Sequence, residues 1–101
     1  MTLNISYSQE ADDLLKLNVS GEINSANADE FASGVNEATE SMPDFTKILF
    51  DLSDLEYISS AGLRVFLMIR KKCEDISIIN AADCIHEIFD ITGFTDYFKF
   101  V

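Results

Sequence analysis

Leu3, Ile5 and Tyr7 alternate with Asn4, Ser6 and Ser8, the two-residue period of a strand with one buried face. Leu15, Leu17 and Val19 alternate in the same way with Lys16, Asn18 and Ser20, within a strand expected over residues 14–23. The polar QEADD between the two runs predicts a short connection, and therefore an antiparallel hairpin. The period then changes. Ala28, Phe31, Ala32, Val35 and Ala38 fall at i, i+3, i+4, i+7 and i+10, one stripe of an amphipathic helix. Asn24 or Ser25 is expected to cap its start, Asp29 and Glu30 suit the positive end of its dipole, and Pro43 marks its stop.

KILFDLS, residues 47–53, is a compact apolar run that predicts a central strand buried on both faces, ending near Leu52. An acidic loop from Ser53 to Glu56 follows, with Tyr57 and Ile58 turning back to the core. A helix is expected from Ala61 to Cys73, and DISIIN (75–80) reads as a short buried strand. Over 83–94, Ile85, Ile88, Phe89 and Thr92 make a helical stripe, with Gly93 placed for a left-handed C-terminal cap. YFKFV (97–101) reads as an edge strand. A hairpin followed by helix and strand in alternation predicts one α/β domain over residues 1–101. Its sheet is mixed and mostly parallel, with an N-terminal antiparallel pair and crossover helices.

Composition narrows the functions open to such a domain. With 48% apolar residues among 101, the chain can build a core without disulfides or metals. Eighteen acidic against seven basic residues give a formal charge of −11, which argues against nucleic acid and against anionic membrane surfaces as partners. The opening MTLNISYSQEADDLLKL lacks a basic segment followed by an apolar core, so no secretory leader is read there. The wholly apolar run Val65 to Ile69 is too short to span a bilayer. A cytoplasmic location is the expectation. Cys73 and Cys84 are expected to be free, buried core thiols, and their spacing fits no metal or redox motif. No cofactor is expected.

YISSAGLRVFL, residues 57–67, holds the candidate chemistry. Ser59 or Ser60 starts the helix, and a serine N-cap contributes about 1 kcal/mol. A cap explains one serine and leaves the second, with Ala61 and Gly62, to be explained. Glycine in a helix costs about 1 kcal/mol against alanine, and makes sense where something approaches the backbone closely. Leu63, Phe66 and Leu67 form the core stripe. Val65 and Met68 lie away from its centre, so the helix is either sandwiched or shows apolar surface to a partner. The rim beyond the carboxyl ends of parallel strands is where such folds place their sites. A phosphate on a serine there would be favoured by the helix dipole and free N–H groups, and would set about −1.5 to −2 charges against any docked apolar surface.

At this point the chain resembles the STAS domain family, particularly the bacterial anti-sigma-factor antagonists. DLSDLEYISSAGLRVFL is similar to the family's signature loop, LNVSGEINSANADEF to its second strand and first helix, and CIHEIFDITGFTDYFKF to its last helix and strand. The resemblance implies a serine at the start of the second helix that is phosphorylated by a cognate anti-sigma serine kinase. The unphosphorylated form would bind that kinase and free a sigma factor, and a phosphatase would reset the switch. Ser60 matches the phosphoacceptor, with Ser59 as second choice. The family often has Asp where Ser59 stands, Ser or Thr where Ala61 stands, and an acid where Asn24 stands. By position, Gly21, Glu22 and Asn24 would lie beside Ser60 and share a partner surface with Ser59, Ala61, Gly62, Val65 and Met68. Local chemistry alone reads Gly21 and Glu22 as a plain turn.

Other functions have weaker sequence support. A Ser60–His86 triad fails because His86 falls on the polar side of its helix and neither serine sits in a Gly-X-Ser-X-Gly elbow. No phosphate-cradling glycine loop is present. Asp51, Asp54 and Glu56 could suggest Mg²⁺, but nothing supplies a substrate phosphate, and loop solvation is the simpler reading. A STAS scaffold, or a subunit of a lipid-transport or stress-sensing complex without a phosphorylation cycle, is the alternative to the switch. The expectation is a binding protein and not an enzyme.

Overall fold

In the computed structural model, which describes residues 3–101, β1 (Leu3–Ala11) and β2 (Leu14–Ile23) form the expected antiparallel hairpin. β1 runs further than its alternation suggested, with a bulge between Gln9 and Ala11, so the turn shrinks to Asp12 and Asp13. α1 (Ala28–Ser41), β3 (Lys47–Asp51), β4 (Leu55–Ile58), α2 (Ser60–Lys72), β5 (Ile76–Ile79), α3 (Asp83–Ile91) and β6 (Lys99–Phe100) follow. The sheet order is β1-β2-β3-β5-β6, parallel from β2 onward, with β4 also paired to β2. The α/β architecture read from the sequence is the one found.

Strand order advances in one direction after β2. Right-handed crossovers, the rule for parallel strands, then stack every helix on the same face. Burial follows this: Leu15, Leu17, Val19, Ile48, Phe50, Ile76 and Ile78 are buried, while the residues between them are only partly covered. The expectation of a β3 buried on both faces is corrected, since Leu49 and Asp51 face the open side. On that side Lys16 lies 4.0 Å from Asp51. The core centres on Phe66 of α2. Its ring meets Phe31 of α1, Phe50 of β3, Phe89 of α3 and Phe98, with centroids 4.8–5.8 Å apart.

Other boundaries differ for local reasons. α1 begins at Ala28 with Asn27 in the cap position, so neither Asn24 nor Ser25 caps it. Asn24 instead stabilises the turn before the helix, its Oδ1 accepting the N–H groups of Ala26 and Asn27 at 2.9 and 3.0 Å. α3 ends at Ile91. Thr92 is exposed, its hydroxyl donating back to the Ile88 carbonyl at 2.8 Å, and Gly93 takes the expected left-handed conformation. A 3₁₀ turn, Phe94–Tyr97, replaces the start of the last expected strand, which shortens to two residues. Both thiols are free, but only Cys73 is buried. Cys84 precedes Ile85 and so falls off the buried Ile85–Phe89 stripe. Burial pushes the Cys73 thiol up from its ordinary range, and its S–H faces the Thr46 and Asp75 carbonyls. Among the described residues no helix is long and apolar enough to cross a membrane.

Candidate functional site

β2 is long enough to serve two neighbours. Residues Leu14–Asn18 pair with β3, and Gly21, Glu22 and Ile23 pair with β4. The sequence reading of an acidic loop at Ser53–Glu56 missed β4, because DLEYI is short and does not alternate: Leu55 and Ile58 are buried while Glu56 and Tyr57 are exposed. Tyr57 therefore does not return to the core. It stands opposite Glu22 across the strand pair. Gly21 and Glu22 are not a plain turn either. They continue β2 through a register shift at which Gly21 has φ 90°, a backbone region that favours glycine.

This pairing holds the serine segment in place. The Gly21 N–H donates to the Asp54 carbonyl at 3.0 Å, and the Ser59 N–H donates to the Ile23 carbonyl at 2.8 Å. Glu22 and Asn24, linked by a 3.4 Å side-chain hydrogen bond, thus stand at the strand end from which Ser59 hangs. Ser59 has extended backbone and is the N-cap of α2, its Oγ accepting the Gly62 N–H at 3.2 Å. Its side chain is half-buried. Ser60 is the first helical residue and is exposed. The two serines therefore divide the roles that sequence alone left open: Ser59 caps, and Ser60 presents its hydroxyl to solvent. No acid occupies the first turn of α2, whereas Arg70, Lys71 and Lys72 occupy its last. The positive end of the dipole beside Ser60 is not neutralised by a side chain of its own turn.

Two residues expected on a partner surface are internal. A Cβ on Gly62 would lie 2.7 Å from Ile23 Cγ2 and 2.9 Å from Ile58 Cγ1. The close approach that its glycine permits comes from the protein's own core. Gly62→Ala should therefore destabilise the domain by about 1–3 kcal/mol of overpacking, read from the urea midpoint against the parent. A midpoint equal to the parent's would show that Ile23 and Ile58 yield freely. Val65 is 7% exposed and Met68 55%, so the helix buries the first and displays the second. Ala61 is half-buried. Ser60, Arg64, Met68 and Lys71 are all exposed and follow helical spacing along the outer face of α2. Arg64 was not singled out in the sequence, although its position four residues after Ser60 places it on the same face.

The groups of the rival readings do not assemble. Asp51 accepts the Ser53 N–H at 3.1 Å and the Asn80 amide at 3.4 Å. Partial burial pushes its carboxyl up, but Ser53, Asn80 and Lys16 together outweigh this and hold it below the usual carboxylate range. Among the described residues no three carboxylate, histidine or thiol groups converge as a metal site. His86 is exposed and packs against Phe100 of β6, the rings tilted by 43° with centroids 4.5 Å apart.

Comparison with known proteins bears on this site. A family model described as STAS domain matches residues 7–101. A protein of Bordetella bronchiseptica named as the anti-sigma factor antagonist BtrV is 33% identical over 95 residues, covering 86% of this chain and 77% of the relative. The anti-sigma-B factor antagonist of Bacillus subtilis is 28% identical over 100 residues, covering 95% and 88%. Among solved structures, the anti-sigma factor antagonist SpoIIAA in its unphosphorylated form superimposes with a TM-score of 0.79 at 13% identity, over 97% of this chain and 88% of that one. The phosphorylated form of this Bacillus cell fate determinant gives 0.70 at 13%, over 97% and 91%. At that identity the structural likeness speaks for the fold.

Proposed function

The chain belongs to the STAS domain family, and from that premise we propose that it is an anti-sigma factor antagonist controlled by phosphorylation of Ser60. In the unphosphorylated state it docks on an anti-sigma serine kinase and so releases a sigma factor. The docking surface comprises Gly21, Glu22 and Asn24 at the end of β2, the segment from Ser59 to Ala61, and the outer face of α2 with Met68. Tyr57 and Arg64 extend it, and Val65 and Gly62 act from beneath. The kinase transfers the γ-phosphoryl group of ATP to Ser60 Oγ. The O–P bond forms as the bond to ADP breaks, and the hydroxyl proton passes to a base on the kinase. A phosphatase hydrolyses the ester and restores the hydroxyl. The domain itself carries out no catalysis.

The observation that carries this reading is the exposed Ser60 side chain at the first position of α2. The neighbouring Ser59 is half-buried and its hydroxyl already accepts the Gly62 N–H, so it is the less accessible of the two serines to a kinase. A phosphate on Ser60 would gain from the helix dipole while bringing about −1.5 to −2 charges to the docking face. Incubation with the cognate kinase and Mg-ATP should label the parent and Ser59→Ala, and leave Ser60→Ala unlabelled. Label that persists in Ser60→Ala would overturn the assignment.

A further inference from the structure

At the other end of α2, an apolar cleft of about 300 Å³ opens between α1 and α2. Val35, Phe45, Val65 and Ile69 line it, and Met68 stands at its edge. None of its lining residues is a carboxylate, although eighteen of the chain's 101 residues are acidic. Two of the seven basic residues, Lys71 and Lys72, lie on its rim. Lys16 and Lys99 are engaged with Asp51 and Asp75, and Arg70 lies over the Tyr97 ring. Lys72 donates to Asn36 Oδ1, a neutral amide, at 3.1 Å, and Lys71 is exposed. The C-terminal dipole of α2 accounts for cations in this turn. It does not account for the open apolar space beneath them. Lys71 is about 17 Å along the helix from Ser60, so the cationic end of the cleft is remote from the serine, although Val65 and Met68 belong both to the cleft and to the proposed docking face.

We propose that this cleft is a binding site for a single-chain amphiphilic anion, a medium-chain fatty acid carboxylate. The chain lies on Val35, Phe45, Val65 and Ile69, and the carboxylate meets the ammonium groups of Lys71 and Lys72. Two features select this occupant. Apart from Asn36 and Thr39 the uncharged lining is apolar, and the two charged lining residues, Lys71 and Lys72, both belong to the last turn of α2, which matches a ligand with one charged terminus. The volume is at the lower end of the roughly 300–1,000 Å³ of small-molecule sites, enough for one alkyl chain and too little for a two-chain lipid. The inference is independent of the assignment of Ser60.

The test is a titration of the full chain with decanoate, kept below its micelle concentration and followed by amide chemical shifts. Saturable shifts are expected at Val35, Phe45, Val65 and Ile69. Decanol, with the same chain and no charge, should bind at least about tenfold more weakly, as should decanoate to the K71E/K72E double variant. Both substituted lysines are exposed, but acids in the last turn of α2 oppose its dipole, so the thermal transition of the variant is measured to show that it is folded at the titration temperature. Three results would overturn the proposal. One is an absence of saturable shifts at the cleft at millimolar decanoate. Another is equal affinity for decanol, or for decanoate after charge reversal. The last is concentration-dependent broadening of the same residues without ligand, since the cleft would then be covered by a second copy of the chain.

Discussion

Phe66→Ala is expected to cost about 3–5 kcal/mol of folding stability, out of the about 5–15 kcal/mol that a domain of this size commands. The ring is fully buried and is the point at which three helices and the sheet meet. Its edge-to-face partners Phe89 and Phe98 lie at 5.4 and 5.8 Å, and its tilted partners Phe31 and Phe50 at 5.3 and 4.8 Å. Each such pair contributes about 0.5–1.5 kcal/mol beyond the area it buries. Removing the ring also leaves a void bounded by elements that cannot all move inward together, because each is fixed to the sheet by its own strand. Urea unfolding with linear extrapolation measures the loss, and Phe66→Leu should show a smaller one. A loss below about 1 kcal/mol for the alanine variant would mean that the four neighbouring rings close the gap unaided.

Ser60→Asp is expected to weaken binding to the anti-sigma kinase at least tenfold, about 1.4 kcal/mol. The substitution places one negative charge where the proposed phosphate would bring more. Its sign of effect on the isolated protein is opposite. An acid in the first turn of α2 complements the dipole, where no acid now stands, so folding should be unchanged or gain about 0.3–1 kcal/mol. Calorimetric titration with the kinase, alongside thermal unfolding of the free variant, separates the two effects. Weaker binding with an intact transition supports an electrostatic switch. Binding as tight as the parent's would remove the charge mechanism.

How far the sequence carried these conclusions depended on how many physical constraints acted at each position. The alternation in β2 and the stripe Phe31, Val35, Ala38 were unambiguous, because each element buries one face against the same core. β4 was not legible. Four residues that end two different loops show neither period, and what makes them a strand is a partner thirty or more positions away in β2. The same blindness placed Tyr57 inside the protein. Val65 and Met68 could not be separated by spacing, since which of them is covered depends on how α2 packs against the rest of the fold. Gly62 was rightly read as a point of close approach, but what approaches, the side chains of Ile23 and Ile58, belongs to the tertiary structure. The two serines were distinguishable only once the backbone of Ser59 was seen to be extended and its Oγ engaged.

The division of β2 between two neighbours limits how chains of this architecture can change in length. Val19 and Ser20 separate the stretch that pairs with β3 from the stretch that pairs with β4. One residue inserted there would turn every later side chain of the strand to the opposite face, taking Ile23 out of the core and drawing Ser59 away from its anchoring carbonyl. Insertions and deletions should therefore accumulate at Asp12–Asp13 and between α1 and β3, and be absent from the middle of β2.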